Sequence, residues 1–521
     1  MTSRRAQSRL GSILSQLSAW TSPSINAVDA AISDLQTSLK SDQVDTSDIT
    51  RALYGTTWGT YVPPTPPAVV VFAESTQDVV NVVNVATKHR IVLIPTAGRT
   101  SLEGQFLPPT CCNPPSAHRT LATSKSARVL SMSQSIPTIH LDVTRMNKVL
   151  AVYEADSQAI VQPGVGWKDL GDELESRGVK MFFPIDPSPK AMFGGMAGVG
   201  GSGTNAVGFG TMRAEWIMGM EVVLMDGRVI RTRGMSRSRK SSTGWDVGRL
   251  FIGSEGTLGI ITELTVRLAP IVPLRVAITS FPTVVQAVDA VVDILGAGLT
   301  PTSLELLDDM SIRGLNLAEL LEKPLPEEPT IMMRFSSSVS EVITSSLESV
   351  AKIVRKHGGR ELMIAKDEKE NERFWNARKA QYWSQQLLIT DICVPISNLA
   401  EFVCKSDEFV KTSGLYAPIV AHIGDGNVHR AILYKADSGT NSAPAAVATL
   451  ASQLSTLAIE LEGTCAGEHG IGTSKRKYLR KELGQDTLDL MRRIKRELDP
   501  LNLLNPGKVL YSTREEENYG Q

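Results

Sequence analysis

Two short segments in the C-terminal third of the chain contain the residue types of a metal-dependent active site. The first, HIGDGNVH at residues 422–429, has a histidine at each end of a predicted GDGN turn. In a hairpin closed by that turn, His422 would lie directly opposite His429, with the two Cβ atoms ~5 Å apart on one face. This spacing suits two imidazoles that bind one metal ion.

The second segment, GEHG, can complete such a site because Glu468 supplies a carboxylate. Two histidines and one carboxylate, with a coordination position left open, are typical of a catalytic metal rather than a structural one. The alternative interpretation is a hairpin with two half-buried histidines that bind no metal. The sequence therefore predicts a metal site formed by His422, His429 and Glu468.

Glycine-rich loops cluster in the N-terminal half of the chain. Small residues let backbone N–H groups converge on an anion such as the pyrophosphate of a dinucleotide, although each loop alone could be an ordinary turn. No GxGxxG follows a first strand, which argues against a nicotinamide-binding Rossmann domain. The loops are PTAGRTSLEG (95–104), QPGVGW (162–167), DPSPKAMFGGMAGVGGSGTNAVGFGTMR (186–213) and GSEGTLGIITE (253–263).

Taken together, these motifs resemble one family over about residues 64–510. The chain is similar to the FAD-binding enzymes of the vanillyl-alcohol-oxidase type, and within them to the cytochrome-linked D-lactate dehydrogenases and their glycolate and D-2-hydroxyglutarate relatives. Several long motifs in the same order are more specific than any single one. The matching motifs are TSLEG, SGTNAV, GTMR, GSEGTLGIITE, HIGDGNVH, GEHGIG and NPGKVL.

The resemblance implies which residues surround the FAD. The pyrophosphate would lie against Gly98, Thr100, Ser101 and Leu102. The second wall would consist of Gly194, Gly195, Ser202, Thr204, Asn205, Gly210 and Met212. The adenosine or isoalloxazine end would lie near Glu255, Gly256, Gly259 and Ile260, and Asn505 would return from the C-terminus to the flavin.

The first glycine loop departs from the family pattern in a way that bears on how the flavin is held. Arg99 and Gln105 stand where relatives carry glycine or histidine, and the loop contains no histidine. Covalent attachment of the flavin through this loop is therefore not expected, and we predict noncovalent FAD.

The resemblance also assigns the chemistry of the C-terminal motifs. In the related enzymes the two histidines and the glutamate hold a divalent metal, zinc or manganese, and the adjacent histidine, here His469, is the base. A metal lowers the pKa of a bound hydroxyl group, and an imidazole is matched to accept its proton near neutral pH. The segment FWNARKAQYW (374–383) matches the one whose arginine grips the substrate carboxylate, which nominates Arg378.

Residues near the predicted site indicate a short substrate. Ile389 and Ala431 stand where enzymes acting on longer diacids would carry polar residues. The expected reaction is the FAD-dependent oxidation of D-lactate to pyruvate, with electrons passed to cytochrome c or a similar acceptor. The alternatives are a glycolate or D-2-hydroxyglutarate dehydrogenase, and a flavin-binding protein without turnover that a segment inserted at about residues 106–136 has disabled.

The secondary-structure pattern indicates how these residues are positioned. Residues 68–73 and 91–95 are typical of strands, and Ser75 with Asp78 predicts a capping box for the helix between them. We expect an α+β protein: a helical lead-in at 29–63, a two-subdomain FAD-binding domain of the vanillyl-alcohol-oxidase type at 64–270, and an α+β substrate (cap) domain with a helical C-terminal part at 271–521. Residues 500–510 of the cap domain should return to the flavin.

Composition and the N-terminus limit the partners and the location. The 521 residues carry a net charge of −1, which gives no reason to expect nucleic acid, and no apolar run is long enough for a membrane span. Five cysteines without a CxxC pair indicate no disulfide framework. Residues 1–28 are rich in arginine and serine and free of acid before Asp29, which predicts a mitochondrial transit peptide; otherwise the protein would be cytoplasmic.

Overall fold

The computed structural model describes residues 25–57, 65–109, 136–379, 387–435 and 444–511. Two expectations fall mainly outside these ranges: the transit peptide at 1–28 and the inserted segment at 106–136. Within the ranges, no helix has both the length and the apolarity that crossing a lipid bilayer requires.

A four-stranded sheet with the order β1-β2-β4-β3 forms the first layer of the N-terminal half. It comprises β1 (Val44–Asp45), β2 (Val69–Phe72), β3 (Val92–Thr96) and β4 (Thr138–Asp142), accompanied by α1 (Ile25–Ser38), α2 (Asp48–Tyr54) and α3 (Thr76–His89). The capping box forms as expected, because the Ser75 hydroxyl accepts the Asp78 amide at 3.2 Å and the Asp78 carboxylate accepts the Ser75 amide at 3.1 Å.

The first sheet is buried on both faces, as parallel strands usually are. Leu93 of β3 packs with the valines of α3. Its neighbours Val92 and Ile94 point the other way and pack on Phe106 and Leu107. The loop that follows β3 is thereby fixed against the sheet.

A five-stranded antiparallel sheet with the order β5-β6-β10-β8-β9 forms the second layer. Its strands are β5 (Val149–Tyr153), β6 (Gln158–Val161), β8 (Ile217–Val223), β9 (Val229–Arg231) and β10 (Ile260–Arg267), while β7 (Met181–Phe182) pairs with β11 (Ala269–Pro270). Between the strands lie α4 (Trp167–Ser176), α5 (Phe193–Val199), α6 (Ala206–Phe209) and α7 (Gly248–Phe251). Three of the glycine-rich loops thus lie in or beside this sheet.

An eight-stranded antiparallel sheet forms the C-terminal half, with the order β15-β12-β14-β13-β18-β19-β16 and with β17 also paired to β19. The strands are β12 (Leu274–Ser280), β13 (Ser303–Leu307), β14 (Thr330–Ser336), β15 (Met363–Ile364), β16 (Leu387–Ile389), β17 (Ile392–Cys393), β18 (Ile419–His422) and β19 (Asn427–Leu433). The helices are α8 (Val284–Gly296), α9 (Asp309–Leu317), α10 (Ser340–Lys356), α11 (Glu368–Lys379), α12 (Leu399–Ser413) and α13 (Ala445–Glu460).

The two faces of this third sheet differ in character. Leu304 and Leu306 of β13 join an apolar core with residues of α8, α10, α12 and α13. Because side chains alternate along a strand, Glu305 between them points to the opposite face. The same alternation separates Ala421 in the apolar core from His422 on the opposite face. Glu305 and His422 therefore share the face opposite this core, and apolar residues of α9 and α11 cover part of that face.

The C-terminal segment returns to the first sheet after α14 (Leu479–Leu483) and α15 (Gln485–Leu498). The Leu93 amide donates to the Leu503 carbonyl, and the Asn505 amide donates to the Leu93 carbonyl, each at 2.8 Å. Residues 503–505 therefore extend the edge of the first sheet beside β3.

The hairpin between β18 and β19 differs from the predicted register. His422 pairs with Asn427, and His429 pairs with Val420, so the expected opposition of His422 and His429 is wrong. The connection, residues 423–426, is shifted by one residue from the predicted GDGN turn. The pairing moves by two residues, an even number, so both histidines still lie on one face as diagonal neighbours.

Candidate active site

Three histidine rings lie in contact: two on the face of the third sheet that carries Glu305, and one in the loop that follows α13. The ring centroids of His422 and His429 are 5.3 Å apart with nearly perpendicular planes. His469 stacks on His429 with centroids 5.1 Å apart and an interplanar angle of 14°. The two segments singled out in the sequence therefore form one cluster.

Glu468 brings a carboxylate to this cluster. Its Oε1 lies 3.1 Å from His429 Nε2 and 3.5 Å from His422 Nε2, and its Oε2 accepts a hydrogen bond from the Ser202 hydroxyl at 2.7 Å. The potential ligand atoms of His422, His429 and Glu468 all lie within 4.8 Å of one another. Two imidazole nitrogens and a carboxylate oxygen form a donor set that fits a divalent metal.

The electrostatics of these side chains also fit a cation. Burial opposes the ionisation of Glu468, but hydrogen bonds and charges from His422 and His429 outweigh it and hold the pKa of Glu468 well below its usual range. Burial likewise opposes a charge on His422, yet Glu305 and Glu468 raise its pKa well above the ordinary value. Without a metal, protonated His422 provides the positive charge beside Glu468. A metal bound by His422, His429 and Glu468 would provide that charge instead.

Glu305, which the sequence analysis missed, lies beneath His422. This glutamate is fully buried on β13, and its Oε1 lies 2.7 Å from His422 Nδ1. Its Oε2 accepts two hydrogen bonds from Arg378, from Nε at 2.8 Å and from Nη2 at 2.5 Å. The predicted substrate arginine is thus buried in an ion pair one side chain away from the histidine cluster.

Asp391, also missed, anchors the loop that carries Glu468 and His469. Its buried carboxylate accepts the amide of Glu468 at 3.0 Å and that of His469 at 2.8 Å. The side chains of Asn427 and Lys475 donate to the same carboxylate at 3.0 and 3.3 Å. Although Asp391 lies near His429 and His469, these donors occupy its oxygens, so it acts as an anchor rather than as a metal ligand.

His469 lies in a tightly constrained loop. Burial lowers its pKa, with the nearby charge of Asp391 acting in the opposite direction. Its Nδ1 is buried and has no hydrogen-bond partner among the described residues. Gly470, at φ 81°, leaves no room for a Cβ, which would lie 2.5 Å from Glu255 Oε1. A neutral imidazole can accept a proton from a bound substrate.

The same loop contacts the glycine-rich half of the chain directly. The Gln105 side chain donates to the His469 carbonyl at 2.6 Å. The Glu255 carboxylate accepts the amides of Ile471 at 2.5 Å and Gly472 at 2.8 Å, and burial raises the pKa of Glu255 to about 7. His469 is therefore held at the boundary between the two halves.

A groove lies beside this loop, in the glycine-rich half of the chain. Eight of the sixteen predicted flavin contacts line it: Ser101, Gly194, Gly195, Glu255, Gly256, Gly259, Ile260 and Asn505. Gly198 also lines it, and a Cβ added there would meet no atom within 4 Å. A groove bounded by glycine backbone leaves room for a flat ring system and a pyrophosphate, so these residues fit FAD.

The other predicted flavin contacts have different surroundings. Gly98, Thr100 and Leu102 lie in the loop that supplies Ser101, but they are not part of the groove lining formed by the described residues. Gly210 is the C-cap of α6, at φ 76° and ψ −160°. Met212 is fully buried in the apolar core of the second sheet, and its place on the second wall of the flavin site stays a prediction.

Three residues of the SGTN segment contact protein rather than the groove. Ser202 donates to Glu468, as described above. The Thr204 hydroxyl donates to Asp186 at 2.7 Å, and the Asn205 side chain accepts from Ser303 at 2.8 Å. The side chain of Asn205 thereby links this segment to β13 of the third sheet, and the place of these three residues on the second wall of the flavin site stays a prediction.

A second arginine, Arg334, is half-buried on the face that carries Glu305. Arg334 lies two residues along β14 from the position opposite Glu305. Its guanidinium stacks on Trp375 at 3.9 Å, and burial lowers its pKa to about 10. No carboxylate of the described residues lies within ion-pair distance of it. Sequence reasoning missed Arg334, because a lone arginine in a strand shows no sign of its neighbours.

Comparison with known proteins agrees with this architecture. The family model of the FAD linked oxidases, C-terminal domain, matches residues 273–509, and that of the FAD binding domain matches residues 118–233. The mitochondrial D-lactate dehydrogenase [cytochrome] of Arabidopsis thaliana is 37% identical over 85% of this chain and 73% of its own length. A probable mitochondrial D-lactate dehydrogenase of Danio rerio is 35% identical over 86% of this chain and 85% of its own length.

More distant relatives share the fold. The glycolate oxidase subunit GlcD of Bacillus subtilis is 28% identical over 85% of this chain and 89% of its own length. The 4-ethylphenol oxidase of Gulosibacter chungangensis superposes with a TM-score of 0.74 at 19% identity, over 94% of this chain and 99% of that one. A p-cresol methylhydroxylase superposes with a TM-score of 0.69 at 16% identity, over 93% and 97%. The predicted α+β fold of the vanillyl-alcohol-oxidase type is confirmed.

Proposed function

The chain belongs to the family of FAD-linked oxidases that includes the cytochrome-linked D-lactate dehydrogenases, and from this membership we propose that it oxidises D-lactate to pyruvate with FAD as the hydride acceptor. The observation that carries the proposal is the position of His469. Its loop is bonded to Glu255 and Gln105 of the flavin groove and lies beside the three candidate metal ligands.

The reaction requires one hydride and one proton to leave the substrate. Bound FAD would supply the hydride acceptor for C2 of lactate, and a divalent metal would make the hydroxyl group of the substrate more acidic. His422, His429 and Glu468 would hold the zinc or manganese ion. The groove residues Ser101, Gly194, Gly195 and Gly256 would hold the FAD without a covalent bond.

His469 would accept the hydroxyl proton. Its lowered pKa keeps the imidazole neutral near pH 7, so it is ready to bind a proton rather than release one. The stacking on His429 and the anchoring of its amide by Asp391 fix the ring in place. A fixed base has less to reorganise when the substrate arrives.

Arg378 would hold the substrate carboxylate. Its guanidinium lies on the side of Glu305 away from His422, so a hydroxy acid could contact Arg378 with its carboxylate and the metal with its hydroxyl group. Ile389 faces Ala431 across β16 and β19. These two apolar side chains favour a substrate with a short tail.

The direct experiment is anaerobic mixing of the FAD-loaded protein with D-lactate. We expect the flavin absorbance near 450 nm to bleach, L-lactate to leave it unchanged, and one pyruvate to form per flavin reduced. A flavin that D-lactate and other D-2-hydroxy acids fail to bleach would support the alternative of a flavin-binding protein without turnover.

A second candidate substrate is D-2-hydroxyglutarate, and Arg334 is the observation that favours it. This half-buried cation without an ion-pair partner among the described residues could bind a second carboxylate. Glycolate is a third candidate, given the similarity to GlcD. Rates of flavin reduction with D-lactate, glycolate and D-2-hydroxyglutarate at equal concentration separate the three.

We also propose a mitochondrial location and cytochrome c or a similar carrier as electron acceptor. Relatives from plant, yeast and fish carry mitochondrial names, and the plant and yeast ones are named for a cytochrome. Residues 1–28 fused to a fluorescent reporter should enter mitochondria. Reduction of cytochrome c by the D-lactate-reduced protein tests the acceptor.

A further inference from the structure

Glu305 is one carboxylate shared by two functional side chains. It is fully buried on β13, and each of its oxygens has its own partner: Oε1 has His422 and Oε2 has Arg378. A buried charge is costly unless it is paired and hydrogen-bonded, and here both pairings lead to residues of the candidate active site.

The contact with His422 fixes which ring nitrogen is available to a metal. Oε1 lies 2.7 Å from Nδ1, so Nδ1 carries the proton that is donated to the carboxylate. Nε2 then faces Glu468 Oε1 at 3.5 Å. A carboxylate behind a histidine holds the ring in the orientation and tautomer that metal binding requires.

The contact with Arg378 fixes the guanidinium. Nε and Nη2 both donate to Oε2, so rotation of the arginine about its last bonds would break two charge-assisted hydrogen bonds. The side chain is only 4% exposed, which prevents it from extending into solvent instead.

We propose that Glu305 is a positioning residue that couples metal binding to substrate binding, holding His422 towards the metal with one oxygen and Arg378 towards the substrate carboxylate with the other. This inference rests on the proposed function. It goes further, because metal binding by His422 and carboxylate binding by Arg378 would both depend on Glu305, a side chain that contacts neither the metal nor the substrate.

The test is the variant Glu305→Gln, which keeps the shape of the side chain but replaces one acceptor by an NH₂ donor. If the amide oxygen stays on Arg378, the NH₂ donates to His422 Nδ1 and forces the proton onto Nε2, which can then no longer bind a metal. If the oxygen faces His422, the NH₂ opposes the N–H groups of Arg378. Either orientation breaks one of the two functions.

The matched control is Glu221→Gln. Glu221 is also a buried glutamate, on β8 of the second sheet, paired with Arg231 at 2.6 Å and hydrogen-bonded to Thr76 at 2.8 Å. Both variants are prepared with FAD. Metal affinity is measured by competition with a chromogenic chelator, and KM and kcat for D-lactate are measured at saturating metal.

We expect Glu305→Gln to weaken Zn²⁺ or Mn²⁺ binding about 10–100-fold and to raise KM for D-lactate roughly tenfold, and Glu221→Gln to change neither. A Glu305→Gln protein with a lower melting temperature but wild-type metal affinity and KM would show a purely structural ion pair. If D-lactate does not reduce the flavin of the wild-type protein, the proposed function is overturned. The chelator competition still tests whether Glu305 positions His422 for metal binding. That role is overturned if the wild-type protein binds no divalent metal.

Discussion

The imidazole of His469 is the single side chain on which the proposed chemistry depends most. It is half-buried, stacked on His429 and anchored through its backbone by Asp391. We expect His469→Ala to slow flavin reduction by D-lactate about 10²–10⁴-fold, because a general base is lost while FAD and metal remain bound. Stopped-flow absorbance on protein verified for FAD and metal content measures this rate.

A structural role for His469 would give a different result. The variant would then lose metal or fold poorly, and the rate per intact active site would stay near that of the wild type. Arg378→Lys serves as a comparison, because it alters a contact with the substrate and should raise KM more than it lowers the rate at saturation.

His140, on β4, gives a prediction about pH and stability. It is fully buried, its Nε2–H donates to the Phe106 carbonyl at 2.7 Å, and burial lowers its pKa to about 3. The unfolded chain binds a proton at this histidine below pH ~6.5, whereas the folded protein does not, so stability is lost as the pH falls from 6.5 towards 3.

We therefore expect His140→Gln, which can still donate to Phe106, to show a smaller drop in melting temperature between pH 7.5 and pH 5 than the wild type. The wild type should lose up to ~1.4 kcal/mol per pH unit at this residue in addition to the losses that both proteins share. An equal drop in melting temperature in the two proteins would contradict the prediction. It would mean that His140 binds its proton with the same affinity in the folded and the unfolded protein.

Sequence reasoning found the functional residues that sit in short motifs and missed those that do not. His422, His429 and Glu468 are brought together as predicted from HIGDGNVH and GEHG. Glu305 and Asp391 stand alone in apolar strands or loops, and Arg378 and His469, which they bind, are more than 70 residues away along the chain. Such pairings depend on strand order, which local pattern does not reveal.

At the level of elements, the β18–β19 hairpin shows why a wrong register still gave the correct cluster. Side chains alternate with a period of two, so a shift of two residues preserves the face while changing the partner. His422 and His429 therefore remain on one face, at a ring distance of 5.3 Å. A shift of one residue would have moved one of the histidines into the apolar core.

The loop between α13 and α14 depends on its glycines. A Cβ at Gly467 would collide with the Asn427 side chain, which is held by hydrogen bonds to Asp391 and to the Ile392 carbonyl. We expect Gly467→Ala to displace Glu468 and to weaken metal binding roughly tenfold or more, as loss of a supporting contact to a ligand does. Chelator competition measures the change.

Gly171→Ala is the matched control for that variant, because a Cβ at Gly171 of α4 would meet nothing within 4 Å. Alanine is favoured over glycine inside a helix, so this variant should keep its metal affinity and be slightly more stable. Equal metal affinities in the two variants would show that the 467–470 loop tolerates displacement.

At the scale of the whole molecule, the fold class could be predicted from the sequence. The contacts between the glycine-rich half and the C-terminal half could not. Ordered motifs identified the family, and the strands expected at 68–73 and 91–95, with the helix between them, are present as β2, β3 and α3. The contacts of Glu255 and Gln105 with residues 469–472 decide where the flavin groove meets the histidine cluster. These residues are more than 200 positions apart, and nothing local in the sequence links them.

The manner of FAD binding is a property of the whole groove. The first loop offers arginine and glutamine rather than histidine, with Arg99 stacked over Tyr54 at 4.1 Å. Acid precipitation of the purified protein should therefore release all yellow colour into the supernatant. Flavin retained by the washed, denatured pellet would reveal a covalent bond and contradict the prediction.

The central claim is that D-lactate oxidation takes place where the flavin groove meets a metal held by His422, His429 and Glu468. The most direct measurement is the rate of anaerobic flavin reduction by saturating D-lactate in wild-type protein as purified, after chelation and dialysis, and after addition of Zn²⁺ or Mn²⁺. We predict that reduction is lost with the metal, while FAD stays bound, and that it returns when the metal is restored. Unchanged reduction in the verified metal-free protein would contradict the account.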